Sequence, residues 1–241
     1  MPPIKPYTFV SLIYAHLMRR INYNDWADYI WDIREIYNLN PASVLELGGG
    51  TCNIANKLFN NADLYIVSDF SYDMLMQDDN KFIDKICCDM TALPFSIRFD
   101  YIFSTFDSVN YLIEEGLLHK LFNEVSQVIS DNGIFTFDVS LEKNSYKNVK
   151  RLNRKGKYKG IKYIQKSRYD SNSKIHTNEF KIFLEDKEII EIHRQKIYSL
   201  ENFFEIIEEC GLFVVDCFES FSFDDAGNDS ERVQFVVKKE V

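Results

Sequence analysis

"VLELGGGTCNIA", residues 44–55, runs from an apolar stretch into an acid, three successive glycines and a helix-compatible segment. A strand, a tight loop and a helix in that order bind nucleotides, because the loop and the helix start turn backbone N–H groups toward the ligand. Counted from Gly48 and Gly50, the dinucleotide fingerprint Gly-x-Gly-x-x-Gly asks for a small residue where this chain has Asn53. The loop therefore departs from that fingerprint. It still delivers Glu46 and Gly48 to the carboxyl end of a strand, where open α/β sheets hold their ligands. A tight turn without a ligand is the alternative reading.

Outward from this loop the chain alternates strand and helix. "SVLEL" is followed by a helix over 51–60, "DLYIVS", a helix from about 71, "DKICCDM", "FDYIFST", a helix over 114–130 and "GIFTFDV". Short apolar runs without polar alternation, separated by helices, predict a parallel sheet covered on both faces, a doubly wound α/β core. Upstream, Trp26, Tyr29, Ile30, Ile33, Ile36 and Tyr37 share one helical face, with Asn24 or Asp25 placed to cap it. After Ser140 the pattern turns β-rich. "KYKGIKYIQKSRYD", "KIHTNEFKIFLED" and "KEIIEIHRQKIYS", with turns at "DSNSK" and "EDK", predict an inserted antiparallel meander. A helix stopped by Gly211 and two closing strands, "FVVDCFESFSF" and "ERVQFVVKKE", complete the chain. The expected organisation is an N-terminal helical cap over 1–40, a nucleotide-binding body over 41–140 and 200–241, and a β insert over 141–199.

With 241 residues, 46% apolar and 15% aromatic, the chain can bury a full core. Charges interrupt every apolar run before it reaches membrane-spanning length, and the start "MPPIKPYTFVSL" has no signal-peptide cleavage pattern, so the expected compartment is the cytoplasm. The five cysteines form no Cys-x-x-Cys pair and read as reduced, buried thiols rather than a zinc or disulfide framework. A net charge of −9 opposes broad nucleic-acid binding. From Lys147 to Arg168, however, the chain holds only basic charges. That strip is either a solvated face or a contact for phosphate or another anionic group.

Two further acids define the ligand. Asp69 ends "DLYIVSD", the tip of the second strand, where a carboxylate accepts both hydroxyls of a ribose; this suits NAD and adenosylmethionine alike. As a helix cap for the segment at Ser71 it would need no ligand. Asp89, after the third strand in "CCDMTALPF", is placed to accept an adenine amino group, with Met90 against the ring.

Taken together, Glu46-x-Gly48-x-Gly50-x-Cys52, Asp69 followed by "SYDML", and Asp89-Met90 before "LPF" resemble the class I S-adenosylmethionine-dependent methyltransferases. The closing strands resemble the reversed pair that completes that family's seven-stranded Rossmann-like sheet. Cys52 stands where the third glycine usually is. "IYAHL…NYNDW" and "FDSVNYLI" are similar to small-molecule methyltransferases of the aminosugar N-methyltransferase kind, which also carry an antiparallel insert. The resemblance implies adenosylmethionine as cofactor. Glu46, Gly48 and Gly50 would surround its methionine part, Asp69 its ribose, and Asp89 and Met90 its adenine. Phe70, Met74 and Thr105 would complete the donor site, and Tyr14 would close over the sulfonium, whose charge an aromatic face attracts.

Methyl transfer is an in-line displacement in which alignment supplies most of the rate, and a base is needed only if the acceptor must lose a proton. Asp107, Asn110 and Tyr111, after the fourth strand, are the candidates to orient or deprotonate an acceptor; helix capping and packing are their bland alternatives. His16, His119, His176 and His193 read as surface or packing residues. No spacing points to a metal. The expected partner is a small-molecule acceptor, with the insert as its binding element or as a homodimer contact. An RNA or protein methyltransferase, a donor-binding regulator without catalysis, and a NAD oxidoreductase are the competing readings, the last disfavoured by Asn53.

Overall fold

The computed structural model describes residues 4–185 and 187–240. Two sheets organise them. The larger has seven strands in the order β10-β11-β5-β4-β1-β2-β3, formed by β1 (Ser43–Leu47), β2 (Leu64–Asp69), β3 (Asp84–Cys87), β4 (Phe99–Ser104), β5 (Ile129–Ser140), β10 (Leu212–Glu219) and β11 (Arg232–Lys239). Strands β1 to β5 pair in parallel, and β11 runs antiparallel to both β5 and β10. This is the Rossmann-like doubly wound sheet with a reversed closing hairpin. The central strands are buried along nearly their whole length, which explains their unbroken apolar runs.

Apolar layers cover both faces. On one, α5 (Glu115–Val128) buries Leu118, Leu121, Phe122 and Val125 together with α7 (Leu200–Glu209) against β5 and β11. Phe137 stacks there on Phe135 and Phe235 at 5.0 and 5.1 Å. On the other, α2 (Tyr23–Ile36) packs Trp26, Tyr29, Ile30 and Ile33 onto Val44, Tyr65, Tyr101 and Phe103. The cap of α2 is Asn22, whose side chain accepts from the Asn24 N–H, rather than Asn24 or Asp25. Ile36, expected on the buried face, is 47% exposed because the helix ends at that turn.

The second sheet is the insert, an antiparallel meander of β6 (Arg154–Tyr158), β7 (Ile161–Asp170), β8 (Ile175–Leu184) and β9 (Lys187–Lys196). It has one strand more than the sequence implies, because Lys159 and Gly160 both take positive φ and fold "KYKGIKY" into a hairpin. Two other local expectations change. Residues 142–151, expected as part of the β insert, form α6 (Glu142–Arg151), whose first turn carries Glu142 and last turn Lys150 and Arg151, matching the helix dipole. The helix expected over 51–60 contracts to α3 (Ala55–Leu58) and a 3-10 turn, since Cys52 sits at φ 56°.

Residues 4–40 divide between the sheets. Helix α1 (Ser11–Leu17) places Val10 and Ile13 on Tyr163, Phe180 and Ile182 of the insert, whereas α2 belongs to the large sheet. The insert and α1 therefore form one layer over the strand tips. Among the described residues, no helix is long and apolar enough to cross a membrane.

Candidate active site

The strand order reverses between β1 and β4, so the loops that follow these two strands open side by side at the carboxyl edge, the ligand position of such sheets. Gly48 and Gly50 take φ of 68° and 55°. A Cβ at Gly48 would lie 2.9 Å from Ser108 Oγ of the loop after β4, and one at Gly49 would press on the Val67 and Glu46 side chains. The loop is thus a backbone cradle that side chains would fill. Cys52 shares the left-handed conformation and is fully buried, which explains why the third position favours glycine in the related motif.

Glu46 lies beneath this cradle rather than in it. Its side chain is 1% exposed and accepts the Tyr65 hydroxyl at 2.9 Å. Burial pushes its carboxyl up to about 8, against the pull of the Tyr65 hydroxyl and the Ala55 N–H. Asp69 does reach the cradle. It accepts the Gly50 N–H at 2.8 Å and the Ser71 N–H at 2.7 Å, one on each oxygen, leaving a lone pair on each. Burial raises its carboxyl while these two N–H bonds lower it.

The remaining residues expected at the donor surround the same loop. Met74 is buried beside Gly50 and Met90 lies beside Gly48, each by its terminal methyl. Phe70 is 51% exposed at the strand tip, with the Lys5 ammonium over its ring. Asp89 is exposed, and one of its oxygens accepts both the N–H and the hydroxyl of Thr91 at 2.8 Å. Thr105 is buried and offers its carbonyl to Ser108 Oγ at 2.8 Å. Tyr14 stands edge-on to Tyr7 at 5.8 Å. Burial raises its phenol well above the ordinary range, with the charges of Tyr7, Tyr23, Asp69 and Asp107 adding to the effect, so it remains a neutral aromatic.

After β4, Phe106 and Asp107 both take left-handed φ, 61° and 51°, a strain that the surroundings hold in place. Phe106 packs on Trp26 at 4.4 Å. Asp107 accepts Arg232 at 2.5 Å and Gln195 at 2.5 Å, and Arg232 also pairs with the buried Asp138. With both oxygens bonded, one to a guanidinium, Asp107 is held in place at the turn. Asn110 departs further from expectation. It is 0% exposed, donates to the Ser140 and Lys196 carbonyls at 3.3 and 2.8 Å, and accepts the Ser140 N–H at 2.9 Å. It ties the turn to β5 and to the end of β9 and cannot reach an acceptor.

Tyr111 is placed differently. Its hydroxyl lies 2.7 Å from the Tyr7 hydroxyl and 2.9 Å from His193 Nδ1, while His193 Nε2 lies 2.8 Å from Glu191. Sequence reasoning treated His193 as packing and did not single out Tyr7, Glu191, Gln195 or Arg232. The alternation of β9, which puts Glu191, His193 and Gln195 on one face, was the available signal; Tyr7 offered none. The basic strip is dispersed. Lys147 pairs with Glu231, and Arg154 donates to Gln165 at 2.7 Å near Arg19 and Arg20. Among the described residues, no three His, Cys, Asp or Glu side chains gather to hold a metal.

Comparison with known proteins bears on the same elements. Residues 44–133, from β1 into β5, match a methyltransferase domain family. The chain is 26% identical over 242 residues to a Geobacillus sp. protein named "Putative methyltransferase GWCH70_2453", covering 94% of this chain and 96% of that one. "Putative methyltransferase YqeM" of Bacillus subtilis is 23% identical, with 97% of each covered. The crystal structure of an S-adenosylmethionine-dependent methyltransferase from Clostridium acetobutylicum superposes with a TM-score of 0.80 at 25% identity, over 98% of this chain and 100% of that one. The sugar N-methyltransferase KedS8 from Streptoalloteichus shares the fold alone, with a TM-score of 0.75 at 11% identity over 96% of this chain and 93% of that one. With the glycine cradle, Asp69 and the seven-stranded order already in place, the domain match, the two full-length relatives and the Clostridium structure agree on one chemistry, and the chain is an S-adenosylmethionine-dependent methyltransferase.

Proposed function

We propose that this enzyme methylates a small protic acceptor, an amine or a hydroxyl compound, bound between the cradle after β1 and the inner face of the insert. The observation that carries this reading is the cluster of Tyr7, Tyr14 and Tyr111, with Tyr7 5.8 Å from the Tyr14 ring and 2.7 Å from the Tyr111 hydroxyl, beside a layer built from α1 and β7 to β9. Aromatic rings and phenol hydroxyls gathered beside the cradle suit a small molecule that carries both apolar and hydrogen-bonding groups.

In this reading residues 41–140 and 200–241 are the donor body, 1–40 the lid and 141–199 the acceptor-binding insert, at work in the cytoplasm. The donor supplies an electrophilic methyl group on a sulfonium. Gly48 and Gly50 present backbone to its methionine part, and the free lone pairs of Asp69 accept the ribose hydroxyls. Phe70, Met74, Asp89, Met90 and Thr105 line the nucleoside, and Tyr14 faces the sulfonium. Glu46 acts through the loop it supports, and Asn110 by fixing the turn that carries Tyr111. Arg19, Arg20 and Arg154 attract an anionic group on the acceptor. The test is methyl transfer from radiolabelled adenosylmethionine to a panel of amines, amino sugars and phenols, beside transfer RNA and whole-cell protein. Label entering small protic compounds supports the reading, and label entering only macromolecules sinks it.

A further inference from the structure

A chain of hydrogen bonds crosses from the N-terminal segment into the insert, and its direction is set at its buried end. Glu191 is 0% exposed and accepts three backbone N–H groups, from Tyr7 at 2.5 Å, Phe9 at 2.7 Å and Val10 at 3.1 Å. Both its oxygens already serve as acceptors, so the imidazole of His193 turns its Nε2–H toward Oε1 at 2.8 Å. Nδ1 then carries a lone pair. Tyr111 donates its hydroxyl to that lone pair at 2.9 Å, and Tyr7 donates to Tyr111 at 2.7 Å. The chain ends at the unused lone pairs of the Tyr7 oxygen, close enough to Asp69 and Asp107 for both to act on its phenol.

We propose that this chain is a proton relay: Tyr7 takes the proton of the acceptor, and His193 Nδ1 is where it comes to rest. The inference rests on the protic acceptor of the preceding subsection. As the acceptor nitrogen or oxygen forms its bond to the methyl carbon, the methyl–sulfur bond breaks and its electron pair stays on sulfur. The acceptor's proton passes to Tyr7 Oη, the Tyr7 proton to Tyr111 Oη, and the Tyr111 proton to His193 Nδ1. Both phenols end neutral, and the one proton gained sits on an imidazolium facing the Glu191 carboxylate.

Burial holds both phenols well above their ordinary range, which suits groups that pass a proton without ionising. The titratable groups around His193 are Glu191 on its own strand, Tyr111 from the turn after β4 and Tyr7 from the N-terminal segment, with Tyr14 and Asp107 beyond them. Its β8 neighbours, Asn178 and Phe180, carry no proton to exchange. In these terms Tyr7 is a catalytic residue and His193, Tyr111 and Glu191 are positioning residues.

The first test is histidine ¹⁵N NMR on the whole protein with adenosylhomocysteine bound, using His193→Gln to assign the resonance. The expected neutral tautomer carries its proton on Nε2, and Tyr111→Phe should move the Nδ1 resonance. A proton on Nδ1 would reverse the chain and overturn the proposal. The second uses the small acceptor found in the panel above. Tyr7→Phe and His193→Gln should each lower kcat by about 10²-fold or more with little change in KM, and His193→Gln should remove the acid-side fall of kcat. Wild-type kcat in both variants would end the relay while leaving the small-acceptor reading intact, whereas labelling of macromolecules alone would end that reading first.

Discussion

At Glu46 a carboxyl group is buried under the loop that it shapes, and burial pushes it up to about 8. The folded value lies above the unfolded one, so the neutral form is favoured in the fold. The contribution of this group is complete below pH 4.5 and is lost as pH rises through about 8. Glu46→Gln keeps the shape and an acceptor for Tyr65 while removing the charge. Its melting temperature should match wild type at pH 5 and exceed it by roughly 5 °C at pH 8.5, a gain of about 1–2 kcal/mol, measured by calorimetry at both pH values. Asp69 instead reaches the cradle, where each of its oxygens accepts one backbone N–H. In the proposed function, Asp69→Ala removes two charge-assisted hydrogen bonds to the ribose at about 1.5–3 kcal/mol each, so adenosylmethionine affinity should fall by roughly 10²–10⁴-fold in titration calorimetry. A change below threefold would place the ribose elsewhere.

The N-terminal segment and β9 form one device at the scale of elements. Tyr7 takes φ 66°, and Glu191 gathers the N–H groups that lead into α1, so a single buried carboxylate latches the segment over the site. In Glu191→Gln the charge is lost and one oxygen becomes a donor. Hydrogen exchange at Tyr7, Phe9 and Val10 should quicken by about tenfold or more, with β1 and β4 unchanged. Uniform quickening across the chain would mean general destabilisation instead. Elements with one strong period were legible in the sequence. The buried strands, α5 with its apolar face and the helix stopped before Gly211 all follow from local pattern. Helix α6 escaped because "EKNSYKNVKR" is almost wholly polar and buries only Ser145, so no apolar period announces it. The hairpin at Lys159–Gly160 escaped because Gly160 is one glycine inside an otherwise continuous strand pattern.

In the whole molecule, the strand order 3-2-1-4-5 and its reversed hairpin bring the loops after β1 and β4 together, and the insert covers them. Adenosylmethionine at a hundred times its Kd should add about 2.7 kcal/mol to stability, or roughly 5–10 °C in melting temperature. NAD should add none, and a shift with NAD instead would reopen the choice of nucleotide. Spacing along the chain was sufficient to bring the proposed donor residues to one edge, because Glu46, Gly48 and Gly50 lie at or just after the end of β1, Asp69 ends β2, and Asp89 and Met90 follow β3, and a parallel sheet aligns such tips automatically. The acceptor side obeys no such rule. Asp107 was readable as a residue at a strand end, yet both its oxygens are engaged, one by Arg232, 125 positions away. Asn110 was read as an acceptor ligand and is instead a brace whose partners lie on β5 and β9. Tyr7, Tyr111, Glu191 and His193 come from three segments joined by contacts 82 to 184 residues apart, and their hydrogen bonds exist only once the insert closes on the body. Local pattern records which face a side chain takes; which distant side chain it meets there is settled by packing.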